Sequence, residues 1–175
     1  MKLEMSPIEE TLLRSFEDRG KITNAYLQKL IKHDLGVKKF LGVYPCDLMR
    51  KPKEGQCIIL NSDTHLKPGK HFVSLLRKGT SFYYFDPLAK DIKLVFPELY
   101  SALRKKKCYP LLPVLQNPIQ APESIFCGLF CLDFVLNQYE PYNSMVTKSY
   151  HTKESKLLEN DQICYENIVK RITKY

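Results

Sequence analysis

No apolar run in this chain approaches the roughly 20 residues that a membrane-spanning helix requires, which argues against a helical integral membrane protein. The N-terminus, Met1-Lys2-Leu3-Glu4, lacks the apolar core of a secretory signal peptide, so an intracellular, unsecreted, soluble protein is expected. The six cysteines, at 46, 57, 108, 127, 131 and 164, contain no Cys-x-x-Cys pair matched by a His pair, which argues against structural zinc. Without secretion a disulfide framework is not expected either, and the cysteines read as free thiols. There is no internal repeat and no low-complexity tract. Acid is in short supply, since 19 Asp and Glu stand against 27 Lys and Arg, for a net charge of +8 and a pI of about 9.1. Such a surplus attracts polyanions, nucleic acid the commonest, without naming any one partner. The densest cluster is Arg104-Lys105-Lys106-Lys107. It reads both as a polyanion contact and as a solvated helix end placing cations at the negative pole of the helix dipole.

What is present suffices for one domain with its own core, since 44% of the 175 residues are hydrophobic. Ser6-Pro7-Ile8-Glu9 predicts a capped helix start running to about Phe16. A second helix begins after Thr23, carries Ala25, Leu27, Leu30 and Ile31, and stops at Gly36. Short β-branched and aromatic runs at 40–44, 56–60, 71–76 and 81–85 then predict strands, the last two a hairpin turning at Lys78-Gly79-Thr80. Residues 97–107 look helical, and 109–115 return to the sheet at an edge that tolerates Pro110 and Pro113. The apolar stretch 125–139 predicts a helix buried on most sides. A polar segment, 140–158, leads to a final helix capped by Asn160 or Asp161, with Ile163, Tyr165, Ile168, Val169 and Ile172 as its apolar positions. The expected architecture is α+β, a mixed central sheet packed on one buried helix.

Thiol-based acyl transfer needs a thiolate, an imidazole to take its proton, a group that orients the imidazole, and donors aimed at the developing oxyanion. Cys127 lies near the start of the buried helix, where dipole and N–H groups favour a thiolate. Gly128 follows it, leaving room for a substrate backbone. The same residue reads equally as one more small apolar core side chain. Of the four histidines, His33 falls on a surface-like helix, His65 in a polar turn and His151 in the polar C-terminal segment. His71 alone begins a strand, at once rigid and accessible, though it also reads as an ordinary half-exposed strand residue. Asp86 ends the partner strand of the hairpin and so falls near His71, where it can orient the ring. A turn-initiating Asp before Pro87 is the other reading.

The order His71, Asp86, Gln120, Cys127 resembles that of the adenain-like and ubiquitin-like-protein-specific cysteine protease clan. Within it the chain is most similar to the adenovirus endopeptidase family. Gln120-Ala-Pro-Glu-Ser-Ile-Phe-Cys127-Gly-Leu-Phe-Cys131 resembles that family's glutamine and nucleophile segment. Phe85-Asp86-Pro87 is similar to its Phe-acid-Pro motif, and Phe40-Leu41-Gly42-Val43-Tyr44 to an early strand. The match covers roughly residues 34–138, between an N-terminal helical extension (1–33) and a C-terminal helical segment (139–175) of a single domain. It implies a papain-like fold, Cys127 as nucleophile, His71 as general base, Asp86 orienting the ring, and Gln120 with the Cys127 N–H as oxyanion hole. Phe72 stands where the family usually has Trp after the histidine, and Asp86 where the adenovirus enzymes have Glu.

The resemblance further implies a viral endopeptidase cutting after Gly in Gly-Gly or Gly-x-Gly contexts of virion precursor proteins, in the virion and the host nucleus. It would act as a monomer without metal, membrane or small-molecule cofactor. By the same resemblance Cys108 would receive an activating peptide through a disulfide, and Arg104, Lys105, Lys106 and Lys107 would contact DNA. Cys108 also reads as an incidental thiol. Two rival readings are a deubiquitinase or SUMO-type isopeptidase, and an inactive protease-like protein that binds nucleic acid.

Overall fold

The computed structural model describes residues 24–31, 39–67, 70–104, 110–137 and 149–172. The predicted helix at 7–16, Lys105 to Lys107, Cys108 and His33 lie outside the described residues. Five strands form one mixed sheet in sequence order: β1 (Phe40–Pro45), β2 (Cys57–Asn61), β3 (Phe72–Lys78), β4 (Ser81–Phe85) and β5 (Leu111–Pro113). The outer pairs β1/β2 and β4/β5 are parallel, and the inner two antiparallel. As Pro110 and Pro113 suggest, β5 is an edge strand; it joins through the Pro110 carbonyl, which accepts from Phe82 N at 2.8 Å.

Period-2 alternation sends the strands' side chains into two cores. Cys57, Ile59, Phe72, Leu76 and Phe85 face helix α4 (Cys127–Leu136). Ile58, Leu60, Val73, Leu75, Phe82 and Tyr84 face two short helices, α2 (Ile92–Val95) and α3 (Pro97–Arg104). Helix α4 is apolar all round because it is covered all round: Cys127 through Val135 are buried between the sheet, helix α1 (Asn24–Lys29) and helix α5 (Glu159–Ile172). Phe134 of α4 stacks on Phe85 with ring centroids 4.6 Å apart, fixing the helix against the end of β4.

Two boundaries differ from expectation in ways that matter. Helix α4 begins at Cys127, not Ile125, which is 40% exposed and outside the core. Helix α5 begins at Glu159, so neither Asn160 nor Asp161 is its cap. Asn160 is fully buried instead, and its amide bonds backbone groups of other segments.

In β1 the register shifts between Phe40 and Val43, so both reach the same core although three residues apart. The bulge is built on Gly42, at φ 144°, and Gln28 of α1 accepts the Val43 N–H at 2.6 Å. A Cβ on Gly42 would lie 2.8 Å from that Gln28 oxygen and 2.9 Å from the Tyr44 ring. Gly42→Ala is therefore expected to destabilise the protein by about 1–3 kcal/mol. Urea unfolding checks this, and a midpoint equal to wild type would refute it.

Candidate active site

The hairpin β3/β4 pairs Ser74 with Phe85, and continuing that register sets Asp86 across from Val73, two residues from His71. The geometry closes the gap: His71 Nε2 and Asp86 Oδ1 are 2.9 Å apart. The His71 carbonyl accepts from Ser62 N at 2.8 Å, which anchors the strand entry on β2's side. Asp86 is 2% exposed. Its Oδ1 also accepts the Leu88 N–H at 2.8 Å, and Oδ2 faces the Tyr84 hydroxyl at 3.4 Å. Asp86 is thus both a turn-initiating Asp and the partner of His71, and the two readings are not alternatives. A cavity of about 500 Å³ opens on the Tyr84 side of Asp86; neither His71 nor Cys127 lines it.

Cys127 is the other group that acts on the His71 ring, raising its pKa alongside Asp86. Cys127 is the first residue of α4, and the preceding Phe126 places no side-chain oxygen over the first-turn N–H groups. Among the other described histidines, His65 pairs with Asp47 at 2.6 Å and His151 with Glu159 at 3.3 Å.

Burial pulls the His71 pKa down. The Asp86 hydrogen bond, the Cys127 hydrogen bond and the two negative charges outweigh it and raise the value to about 9. Because the folded value lies above the ordinary 6.5, the stabilisation is fully present below about pH 6.5 and is lost as pH rises through about 9. An NMR titration of the His71 ring is expected to show a midpoint near 9. A midpoint near 6.5 would mean that neither neighbour holds the proton.

Gln120 sits in the loop before α4, 2% exposed. Its backbone N–H and that of Ile119 both donate to the Pro87 carbonyl, at 3.0 and 2.9 Å, so the glutamine is tied to the Asp86-Pro87 turn. Its Nε2 donates to the Ser124 carbonyl at 2.6 Å, which leaves the second N–H of that amide for another acceptor. The other thiols stand apart in environment. Cys131, Cys164 and Cys57 are fully buried; burial drives the first two far above the usual thiol range and pushes Cys57 up to about 12. Arg104 lies over the Tyr100 ring, 5.4 Å from its centroid, and donates to the Tyr100 hydroxyl. Among the described residues no cluster of His, Cys, Asp and Glu fits a metal ion.

The protease of Porcine adenovirus A serotype 3 is 29% identical over 122 residues, covering 61% of this chain and 59% of that protein. That of Bovine adenovirus B serotype 3 is 30% identical over 129 residues, covering 61% and 60%. The chain is thus similar to adenovirus proteases over about three-fifths of its length. It spans about three-fifths of the length of the curated relatives that it matches. No family model matches it. Among solved structures, the ASFV pS273R protease superposes with a TM-score of 0.53 at 14% identity, over 91% of this chain and 67% of that one. The α+β fold expected from the sequence is therefore one shared with the ASFV pS273R protease.

Four residues near the site gave no signal of that role in the sequence. Tyr84 backs Asp86, while Ser124, Asn160 and Asp161 brace the Gln120 loop. Ser124 was visible only as a small polar residue before the nucleophile, and the pair at 160–161 only as a helix start.

Proposed function

We propose that this chain is a viral cysteine endopeptidase with Cys127 as nucleophile, His71 as general acid and base, Asp86 as the group that orients and charges the ring, and Gln120 as an oxyanion donor. One observation carries the reading: the thiol at the first residue of a buried helix acts on an imidazole whose Nε2 is bonded to a buried carboxylate. The thiolate adds to the scissile carbonyl carbon and the negative charge moves to its oxygen. The Gln120 amide and the Cys127 N–H receive that charge. His71 then protonates the leaving amine as the C–N bond breaks, leaving a thioester. Water, losing a proton to His71, cleaves the thioester and frees the thiol.

The substrates we propose are virion precursor proteins cut after Gly, in the virion or host nucleus, because the adenovirus relatives are proteases of viruses. A peptide joined through Cys108, and DNA against Arg104 to Lys107, belong to the same proposal as activators. The test is hydrolysis of a fluorogenic Leu-x-Gly-Gly peptide and of its Leu-x-Ala-Ala counterpart, each with and without DNA. Cleavage confined to the Gly-Gly peptide is expected, faster with DNA. Equal cleavage of both peptides would remove the Gly specificity. No rate change with DNA would remove that activator. No hydrolysis of either peptide under reducing conditions, with Cys127 titrated as a free thiol, would overturn the protease reading itself.

A further inference from the structure

The loop carrying Gln120 has no regular structure between β5 and α4, so something other than a helix or strand ladder must hold the amide in place. On one side the Pro87 carbonyl accepts the Ile119 and Gln120 N–H groups. On the other side the braces come from the first turn of α5. Asn160, fully buried, donates its Nδ2 to the Ile119 carbonyl at 2.7 Å and to the His151 carbonyl at 2.7 Å, while its Oδ1 accepts the His151 N–H at 2.8 Å. Asp161, 8% exposed, accepts the Ser124 hydroxyl at 2.8 Å. That hydroxyl oxygen in turn accepts the Phe126 N–H at 3.2 Å, and the Ser124 carbonyl takes the Gln120 Nε2 at 2.6 Å. A continuous chain of hydrogen bonds therefore runs from the Asp161 carboxylate through Ser124 to the Gln120 amide, and a branch reaches the residue next to Cys127.

We propose that Asp161, acting through Ser124, is a positioning residue for Gln120, with Asn160 holding the other end of the same loop; the proposal rests on the protease reading for its effect on rate. The acceptor matters more than a generic contact. A carboxylate is acceptor-only, so it forces the Ser124 hydroxyl hydrogen toward itself and leaves a lone pair for the Phe126 N–H. The Ser124 hydroxyl, held by Asp161, closes a side-chain turn over the Phe126 N–H that sets the Ser124 backbone, so its carbonyl offers the Gln120 amide a single direction. A preorganised donor is worth more in a transition state than a mobile one, because no reorganisation is needed as charge develops. Loss of Asp161 should therefore appear in kcat rather than in KM.

The test combines Asp161→Ala, Asp161→Asn and Ser124→Ala with Gln120→Ala, all first checked for cooperative thermal unfolding. With protein labelled with ¹⁵N at glutamine, the Gln120 side-chain amide resonance is expected to shift and broaden in Asp161→Ala and Ser124→Ala, and to stay near wild type in Asp161→Asn, which keeps an acceptor oxygen. On the Gly-Gly peptide, Asp161→Ala is expected to lower kcat about tenfold or more with KM within twofold, and Asp161→Asn to recover most of it. In the Gln120→Ala background, Asp161→Ala should cost little further. An unmoved Gln120 resonance, or losses that multiply in the double variant, would overturn the positioning role. A shifted resonance in a protein whose wild type hydrolyses nothing would leave the positioning intact and sink the protease reading instead.

Discussion

Cys127→Ala is expected to abolish peptide cleavage, lowering kcat by about 10⁴-fold or more, with the fold retained. The size of the effect follows from the lack of a substitute thiol among the described residues. Cys131 lies one turn further along α4, but it is fully buried and its thiol is pushed far above the usual range. Cys57 and Cys164 are equally enclosed, and Cys46 is raised by burial and by the neighbouring Asp47 charge. None of these acts on the His71 pKa, whereas Cys127 raises it. Removing one sulfur from this buried position, 5% exposed, should cost only about 1 kcal/mol of stability. Turnover within tenfold of wild type in purified Cys127→Ala would refute the assignment.

The second large effect belongs to Asp86. Asp86→Ala removes the acceptor for His71 Nε2 and for the Leu88 N–H together, so the ring loses its orientation and the turn its anchor. A fall in kcat/KM of about 10²- to 10³-fold is expected, with a loss of about 1–3 kcal/mol in stability from the unpaired groups. Asp86→Asn separates the two contributions. Its amide oxygen still accepts from the ring and the turn, but the negative charge is gone. The hydrogen bond and charge of Asp86 both act to raise the His71 pKa, so in the asparagine variant its value should fall below about 9. The imidazolium would then be lost at a lower pH, and the alkaline limb of the rate profile should move down with it. An unchanged alkaline limb in Asp86→Asn would show that the carboxylate charge does not reach the ring.

The strands were legible because the runs at 40–44, 56–60, 71–76 and 81–85 combine β-branched and aromatic residues with turn formers between them. The hairpin followed, and with it the approach of His71 to Asp86. Helix α2 was not legible, since four residues carry too little period; its Asp91 cap, accepting from Lys93 N at 2.9 Å, is its one local signal. Asn160 was misread because an Asn before an amphipathic run looks like a cap, and only the tertiary contacts turn it into a buried brace. Asp133 shows the opposite situation. A lone acid in an apolar helix must find partners, and it does, in the Tyr150 hydroxyl at 2.6 Å and the Asn137 amide at 3.1 Å. That need was readable from the helix; the identity of Tyr150 was not. Likewise Cys127 could be placed near a helix start, but whether it faced the core or the imidazole depended on a packing that no local pattern specifies.

The braces around the Gln120 loop also set an order of assembly. His71 and Asp86 are separated by 15 residues within one hairpin. Ser124 and Asp161 are separated by 37 residues, and Ile119 and Asn160 by 41. Close pairs meet first during folding, because distant ones must close longer loops before any contact rewards them. The His71–Asp86 pair is thus expected to form before the Gln120 loop and the start of α4 are locked, and on a ribosome the lock cannot form until α5 has been synthesised. On the proposed reading, a chain still being made would carry a thiol without its oxyanion donor, and the nascent protein would not cut its neighbours. Stopped-flow refolding with a thiol reagent is expected to show fast Cys127 labelling only in the final phase, and fast labelling in the earliest phase would contradict this latency.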